Sequence, residues 1–353
     1  MAARQHFVTD GLVSLSSPEP GDAARLIAAR DEEFLHWLGP GADEPRPFAC
    51  IEVRKDIVGW VDFDTDHDWL QPGEVNIGYN IFPGHRRYGY ATRSVQLLLH
   101  HLALRTSYKM ASLLINSGNE RSLAVARRLG LSPSGEVGGE FYFKRFVPPL
   151  AYSDGVVTIR RQELEDLDAD LEAKDGEQIK WLWEPGQREK WQAMSPAEQR
   201  EHAASGLKAS HDTFGTGPKW AFSVDAHAGL PEHAGPPGGA GHDIRYVAYV
   251  DCDLANEIVQ HGEANISYSA HPAYRGKGYV SRAVRLVTQW LRDNTGAREA
   301  HIIVDSRNAA SLRVARAVKA PEAQRWIGVS GHTMVRHVLN IRAEPAHPTS
   351  TPA

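Results

Sequence analysis

Hydrophobic and polar positions run in the same order twice along this chain. Each pass opens with a short alternating run, around Val13 and again around Val157, which predicts a strand. A polar helix follows and ends near a tryptophan, Trp37 or Trp181. Two apolar runs then predict a β-hairpin: Phe48 to Val53 with Ile57 to Asp62, and Trp220 to Val224 with Tyr246 to Asp251. A further strand comes next, Val75 to Ile81 or Ala264 to Ala270. A proline-containing turn leads into a long helix, Tyr90 to Leu104 or Val280 to Arg292. A last strand and helix close each pass, Ser112 to Asn116 with Glu120 to Leu129, and Ala300 to Val304 with Ala309 to Val318. The order predicts a mixed α/β fold, α+β-like, in which each unit is a mixed central sheet flanked by helices.

The identity of residues supports the same reading. Glu74 to Arg127 aligns without a gap on Glu263 to Arg316 at an offset of 189, with 21 identities in 54 positions. Matched pairs include Asn76/Asn265, Tyr79/Tyr268, Arg86/Arg275, Gly89/Gly278, Arg93/Arg282 and Asn119/Asn308. The beginnings match at a different offset, 144, which places Trp37 on Trp181. The second copy therefore carries 45 extra residues between Trp181 and Glu263. Some lie in Glu189 to Thr213, where Ser195-Pro196-Ala197-Glu198 reads as a helix start. Others form a Gly/Pro/Ala/His loop from Ala226 to His242. A period this long means domain duplication. The expected units are 1–150 and 151–342, meeting near Pro148-Pro149, with a disordered Pro/Ser/Thr-rich tail at 343–353.

Composition narrows the function classes. The 353 residues suffice for two moderate cores. A formal net charge of -5 argues against a nucleic-acid binder, whose surface must be basic. Cys50 and Cys252 have no metal-ligand spacing around them, which suits a reducing compartment. Nothing near Met1 reads as a signal peptide, and no apolar run approaches the roughly 18 residues of a membrane span. The expectation is a cytoplasmic protein without a membrane or nucleic-acid partner. The histidines His227, His233 and His242 are irregularly spaced, and no metal is expected.

The sharpest chemistry lies between strand and long helix. The first copy reads Pro83-Gly84-His85-Arg86-Arg87-Tyr88-Gly89-Tyr90-Ala91, and the second Pro272-Ala273-Tyr274-Arg275-Gly276-Lys277-Gly278-Tyr279-Val280. The amides at a helix start have no intrahelical acceptor, and with the helix dipole they form an anion site. Glycine allows close approach of a phosphate, and arginine adds charge and a fork of donors. A pyrophosphate fits such a turn.

This Arg-x-x-Gly-x-(Gly or Ala) pattern resembles the coenzyme A signature of the GNAT superfamily of acyl-CoA N-acyltransferases. The resemblance covers nearly the whole chain as two tandem domains, and it is closest to the subfamily holding the ribosomal-protein N-terminal acetyltransferases. It implies acetyl-CoA, or another acyl-CoA, as co-substrate. The pantetheine arm would lie along the strand ends at Ile81–Phe82 or Ala270–His271. The pyrophosphate would rest in Arg86, Arg87, Tyr88, Gly89, Tyr90 and Ala91, or in Arg275, Gly276, Lys277, Gly278, Tyr279 and Val280. Asn119 or Asn308 would contact the cofactor arm; each reads equally well as a helix N-cap. Three departures stand out. Val280 replaces a small residue, Ala126 and Ala315 stand where many members carry a general-acid tyrosine, and Asn76 and Asn265 stand where a glutamate base is frequent.

Acyl transfer to an amine needs a base for the ammonium and a proton for the leaving thiolate. Alternation puts Glu263, Asn265 and Ser267 on one strand face. Glu263 stands first among candidate bases and Asp251 second; each also reads as a solvated strand-end charge. Ser311 is the candidate proton donor, or a helix cap. Trp181, Trp183, Trp191 and Trp220 line an acceptor pocket or pack the core. Two function classes follow. One is an N-acetyltransferase acting on a small-molecule amine, such as an antibiotic or other secondary metabolite, or on a protein N-terminus, with transfer of another acyl or an imidoyl group as a variant. The other is a non-catalytic acyl-CoA sensor or scaffold. The longer acceptor side of the second copy, Trp181 to Lys219, makes it the expected catalytic one.

Overall fold

The structure is a computed structural model that describes residue 4, residues 6–227 and residues 244–342. His233, His242 and the tail at 343–353 lie outside the described residues. The first half runs β1 (His6–Thr9), β2 (Val13–Ser16), α1 (Asp22–Ala28), α2 (Glu32–Leu38), β3 (Ala49–Val53), β4 (Asp56–Asp64), β5 (Glu74–Ile81), α3 (Tyr90–Arg105), β6 (Met110–Asn116), α4 (Glu120–Arg128), β7 (Ser132–Val137) and β8 (Glu140–Phe146). The second runs β9 (Tyr152–Ser153), β10 (Val157–Arg161), α5 (Leu167–Ala173), α6 (Gly176–Leu182), α7 (Pro185–Ala193), α8 (Pro196–Thr213), β11 (Lys219–Ala226), β12 (Ile244–Asp253), β13 (Glu263–Ala270), α9 (Tyr279–Asn294), β14 (Glu299–Asp305), α10 (Ala309–Ala317), β15 (Glu322–Ile327) and β16 (Thr333–Asn340).

Each half builds an eight-stranded sheet in the same order, β1-β2-β3-β4-β5-β6-β8-β7 and β9-β10-β11-β12-β13-β14-β16-β15. One neighbour pair per sheet is parallel, β5 with β6 and β13 with β14, because a helix, α3 or α9, makes the crossover. That pairing lasts three residues: Glu74 to Asn76 beside Met110 to Ser112, and Glu263 to Asn265 beside Glu299 to His301. Beyond it the strands part. The resulting fork opens toward the turn that starts the long helix.

The single polar helix expected before each tryptophan is two helices. Asp31 and Asp175 take extended backbone angles and accept from the amides of Phe34 and Gln178, both at 2.9 Å, so each starts a new helix. Trp37 and Trp181 lie inside these second helices. Two further helices, α7 and α8, stand in the second half among the described residues, and Ser195 with Glu198 closes a capping box on α8.

The halves pack through α3 and α9. Gln96 donates to the Arg292 carbonyl at 3.1 Å, and the Thr9 amide to the Thr216 carbonyl at 2.8 Å. His100 pairs with the Phe214 carbonyl at 3.1 Å and lies against Trp220 and Trp290. Both tryptophans are fully buried. Each such side chain contributes roughly 1.5–3 kcal/mol of burial. Burial also pushes the His100 imidazole down to about 4. Among the described residues, no helix is long and apolar enough to cross a membrane.

Candidate active site

At the mouth of each fork the chain makes a left-handed turn into a helix. Gly89 and Gly278 cap α3 and α9 with φ of 80° and 77°. A Cβ at either, or at Gly276, would meet nothing within 4 Å, so the outer side of the turn is open. Neither helix has an acidic residue in its first turn. The turn therefore presents free amides and a positive helix end outward. The halves differ at one left-handed position: Arg87, φ 71°, stands where the second has Gly276. Tyr88 is exposed and stacks on Tyr90, while Lys277 lies over the Tyr274 ring. Tyr279 is buried, and Ala91 and Val280 turn inward to pack on the two cores, so Val280 does not crowd the turn. Ile81 is buried in the first core. Phe82 packs with Leu26 of α1, whereas His271 accepts from the Ala273 amide at 3.3 Å.

The side chains of Arg86 and Arg275 do not stand free beside this turn. Arg86 donates twice to Asp31, at 2.6 and 2.9 Å, and Arg275 twice to Asp175, at 2.7 and 2.6 Å. Hydrogen bonding to Arg86 holds the Asp31 carboxyl down at about 2, and Arg275 lowers Asp175 in the same way. A second pair repeats as well: Arg93 with Asp10 at 2.7 Å, and Arg282 with Asp154 at 2.8 Å. Each joins a residue of the 144-offset block to one of the 189-offset block. The repeated arginines thus bolt the early helices and strand turns onto the fork. In this structure both guanidiniums are engaged by Asp31 and Asp175, which anchor the turn from below.

One difference crosses the mouth of the first fork. Glu33 accepts from Arg86 at 2.8 Å and from Arg121 at 2.6 Å. Arg86 follows β5 and Arg121 opens α4 after β6, so the carboxylate straps the two arms together. The second half has Ala310 in place of Arg121, and its Glu177 accepts from the Trp181 indole at 2.8 Å instead. The tryptophans keep corresponding seats, Trp37 over Gly118 and Trp181 near Arg307.

Inside the forks, Asn119 and Asn308 accept from the amides of Ser122 and Ser311, both at 3.1 Å, so their side-chain oxygens serve as N-caps. Tyr268 donates to the Ser311 carbonyl at 3.3 Å. In the first half burial pushes the Tyr79 phenol up to about 12. Ala126 and Ala315 are fully buried.

The opposite face of the second sheet gathers the sequence candidates. Ala264, Ile266 and Tyr268 face the helices, so Glu263, Asn265 and Ser267 face away. Asp251 pairs across from Ser267 and shares that face. It is buried, accepts from Tyr249 at 2.5 Å, and pairs with Lys219 at 3.1 Å. Burial works against the Lys219 charge, and Asp251 outweighs it, leaving the ammonium pKa raised. Asn265 donates to Ser267 at 3.2 Å. Glu263 accepts from the Gln260 amide at 2.9 Å and lies 3.5 Å from His301. Glu299 lies 3.5 Å from the same nitrogen of His301. These three groups offer ligand atoms within 4.8 Å of one another, a spacing that polar contacts from the ring Nε2 to the two carboxylates account for without a cation. In the first half Glu74 is sealed by Ser112, by Tyr142 at 3.0 Å and by Lys144 at 2.8 Å. Ser311 stands apart from the carboxylates, on the helix side of β13. Of the four tryptophans, Trp220 belongs to the core, while Trp183 and Trp191 meet edge to face at 5.2 Å near α7.

Sequence reasoning missed His301, Lys219 and Tyr249. His301 left one signal: it falls on Ser112 in an otherwise similar block.

A family model described as an acetyltransferase (GNAT) domain matches residues 5–132 and 157–320. Among solved structures, an acetyltransferase of the GNAT family from Bacillus anthracis is similar at 14% identity, over 55% of this chain and 99% of its own, with a TM-score of 0.39. The ribosomal-protein-S5-alanine acetyltransferase from Vibrio fischeri is similar at 15% identity, over 55% and 99%, with a TM-score of 0.41. The microcin C7 self-immunity acetyltransferase, solved with acetyl-CoA and AMP, is similar at 14% identity, over 53% and 93%, with a TM-score of 0.36. A comparison with curated proteins finds no match.

Proposed function

The chain belongs to the GNAT acetyltransferase family, and from that premise we propose that it moves an acetyl group from acetyl-CoA to an amine, with the second half doing the chemistry. The main-chain amides around Gly276 and Gly278 hold the pyrophosphate, and the fork between β13 and β14 takes the pantetheine arm. The observation that carries the assignment is the contrast at the two forks. The first is strapped by Glu33 across Arg86 and Arg121. The second has no such strap among the described residues, and α5 and α8, packed on each other and on β12 and β11, wall its acceptor face. A wall that excludes water and holds the amine near the thioester carbon supplies several kcal/mol of positioning. The first half is then mainly structural.

The acceptor is a cationic amine, a small molecule or a free peptide N-terminus. The chain's net charge of -5 and the carboxylates Asp251, Asp253, Glu263 and Glu299 around the fork favour a positive partner. Thioester consumption measured with a panel of diamines, aminated metabolites and N-terminally free peptides tests the reading. Gly278→Trp, which fills the open side of the turn, is expected to abolish turnover; Gly89→Trp is expected to leave most of it. With both variants folded, the reverse result would move the activity to the first half. Calorimetry without heat for CoA or acetyl-CoA would remove the cofactor assignment.

A further inference from the structure

Two titratable side chains stand at the second fork with no counterpart in the first, His301 and Glu299, which fall on Ser112 and Met110. His301 occupies the last parallel pair before β13 and β14 part, beside Asn265. It is 3% exposed. Its Nε2 lies 3.5 Å from a carboxylate oxygen of Glu263 and 3.5 Å from one of Glu299. Carboxylates accept and do not donate, so the proton of the neutral ring belongs on Nε2 and Nδ1 keeps its lone pair. That Nδ1 is buried and has no hydrogen-bond partner among the described residues. A fold does not keep a buried acceptor empty without cost. The first half avoids it, with Ser112 at the same position and Glu74 closed off by Tyr142 and Lys144.

Resting on the reading that the second half transfers an acyl group, we propose that His301 is the proton acceptor for the incoming amine, oriented by Glu263 and Glu299. The acceptor arrives as an ammonium ion. Nδ1 takes one proton, directly or across one water, and leaves a neutral amine. The nitrogen attacks the thioester carbon, the C–N bond forms, and the C–S bond breaks. The second proton from nitrogen ends on the departing sulfur. The imidazolium, flanked by two carboxylates that stabilise its charge, releases its proton to solvent. Ammonium and thioester thus give amide, thiol and one proton. Glu263 acts through His301 and is a positioning residue. The groups that share the face are known by register: Glu263 on β13, Glu299 on β14 with His301 itself, Asp251 and Asp253 on β12 with Lys219 against Asp251, and Val338 with Arg336 on β16.

The full chain is assayed with acetyl-CoA and the best acceptor from the amine panel, between pH 5.5 and 9. His301→Gln is expected to lower kcat/KM for the amine by about 10²–10³-fold. Acetyl-CoA affinity by calorimetry should stay within about twofold, because the ring does not reach the pyrophosphate turn. The acid limb of the wild-type pH profile should disappear in that variant. Glu299 is more exposed than His301, so Glu299→Gln should fold even if His301→Gln does not. It is expected to lower kcat/KM for the amine by about tenfold with acetyl-CoA affinity unchanged, since one carboxylate no longer orients the ring. Wild-type turnover with unaltered kinetics and acid limb in His301→Gln, or unaltered kinetics in Glu299→Gln, overturns this assignment alone. A wild-type chain that binds acetyl-CoA but consumes no thioester with any amine removes the transfer reading beneath it.

Discussion

The two halves share their bolts and differ at their forks. Asp31–Arg86 recurs as Asp175–Arg275, and Asp10–Arg93 recurs as Asp154–Arg282. These pairs join segments that drifted to different offsets, so an insertion of 45 residues between them left the clamps intact. The fork residues did not persist in the same way. The first half ties Glu33 to Arg121 and Glu74 to Lys144, which consumes its charges internally. The second puts Ala310 where the first has Arg121, and His301 where the first has Ser112. A duplicated scaffold needs its geometry in both copies, but it needs open chemistry in only one.

The interface offers the largest lever on this comparison. His100 in α3 and Gln289 in α9 are equivalent positions, and the first is buried against aromatic rings of the second half. Its folded pKa, about 4, lies below the ordinary value of 6.5. Between those values the unfolded chain binds more protons. Stability is therefore complete above about pH 6.5 and falls as pH drops toward 4, by about 2 kcal/mol between pH 7 and pH 5. Urea midpoints at the two pH values should show this loss in the wild type and a flatter dependence in His100→Gln.

Breaking the clamp comes next. Arg275→Ala should weaken acetyl-CoA binding in the second half by about 1 kcal/mol, the upper scale of a partly exposed ion pair that holds the turn in place. Asp175→Ala should cost much of the same affinity although its carboxylate repels phosphate, because the turn loses its anchor. Calorimetry giving tighter binding for Asp175→Ala would show that the aspartate only competes with the ligand for the arginine.

Releasing the strap is gentler. Glu33 and Arg121 are partly exposed, and such a pair contributes less than about 1 kcal/mol. Glu33→Ala should therefore leave stability nearly unchanged and raise the acetyl-CoA stoichiometry from one towards two per chain. A stoichiometry that stays at one would mean the first fork is closed by more than this ion pair.

The smallest effect lies at the left-handed positions, which the halves fill in opposite ways. Arg87 matches Gly276, and Lys319, φ 59°, matches Gly130. A side chain there costs about 1–2 kcal/mol, partly offset by the freedom glycine gains on unfolding. Arg87→Gly should stabilise the first half by about 0.5–1 kcal/mol, read as a shift in thermal midpoint.

The duplication, most of the element order and both strand–turn–helix junctions were legible in the sequence because they rest on local rules: apolar period, capping chemistry and the glycines at helix starts. Asp31, Asp175 and Ser195 even carry their own caps, though the break between each pair of short helices was hidden in a continuous polar run. The strands β7 and β8 went unseen: β7 is the edge strand, largely exposed, and neither shows a clear alternation of buried and exposed positions. What the arginines of the turn touch was decided only by the fold. Arg275 and Asp175 are 100 residues apart, and no local pattern pairs them. The same holds for the fork. That Glu74 is sealed while Glu263 meets His301 follows from which residues parallel strands bring side by side, and strand register is a property of the whole packed sheet.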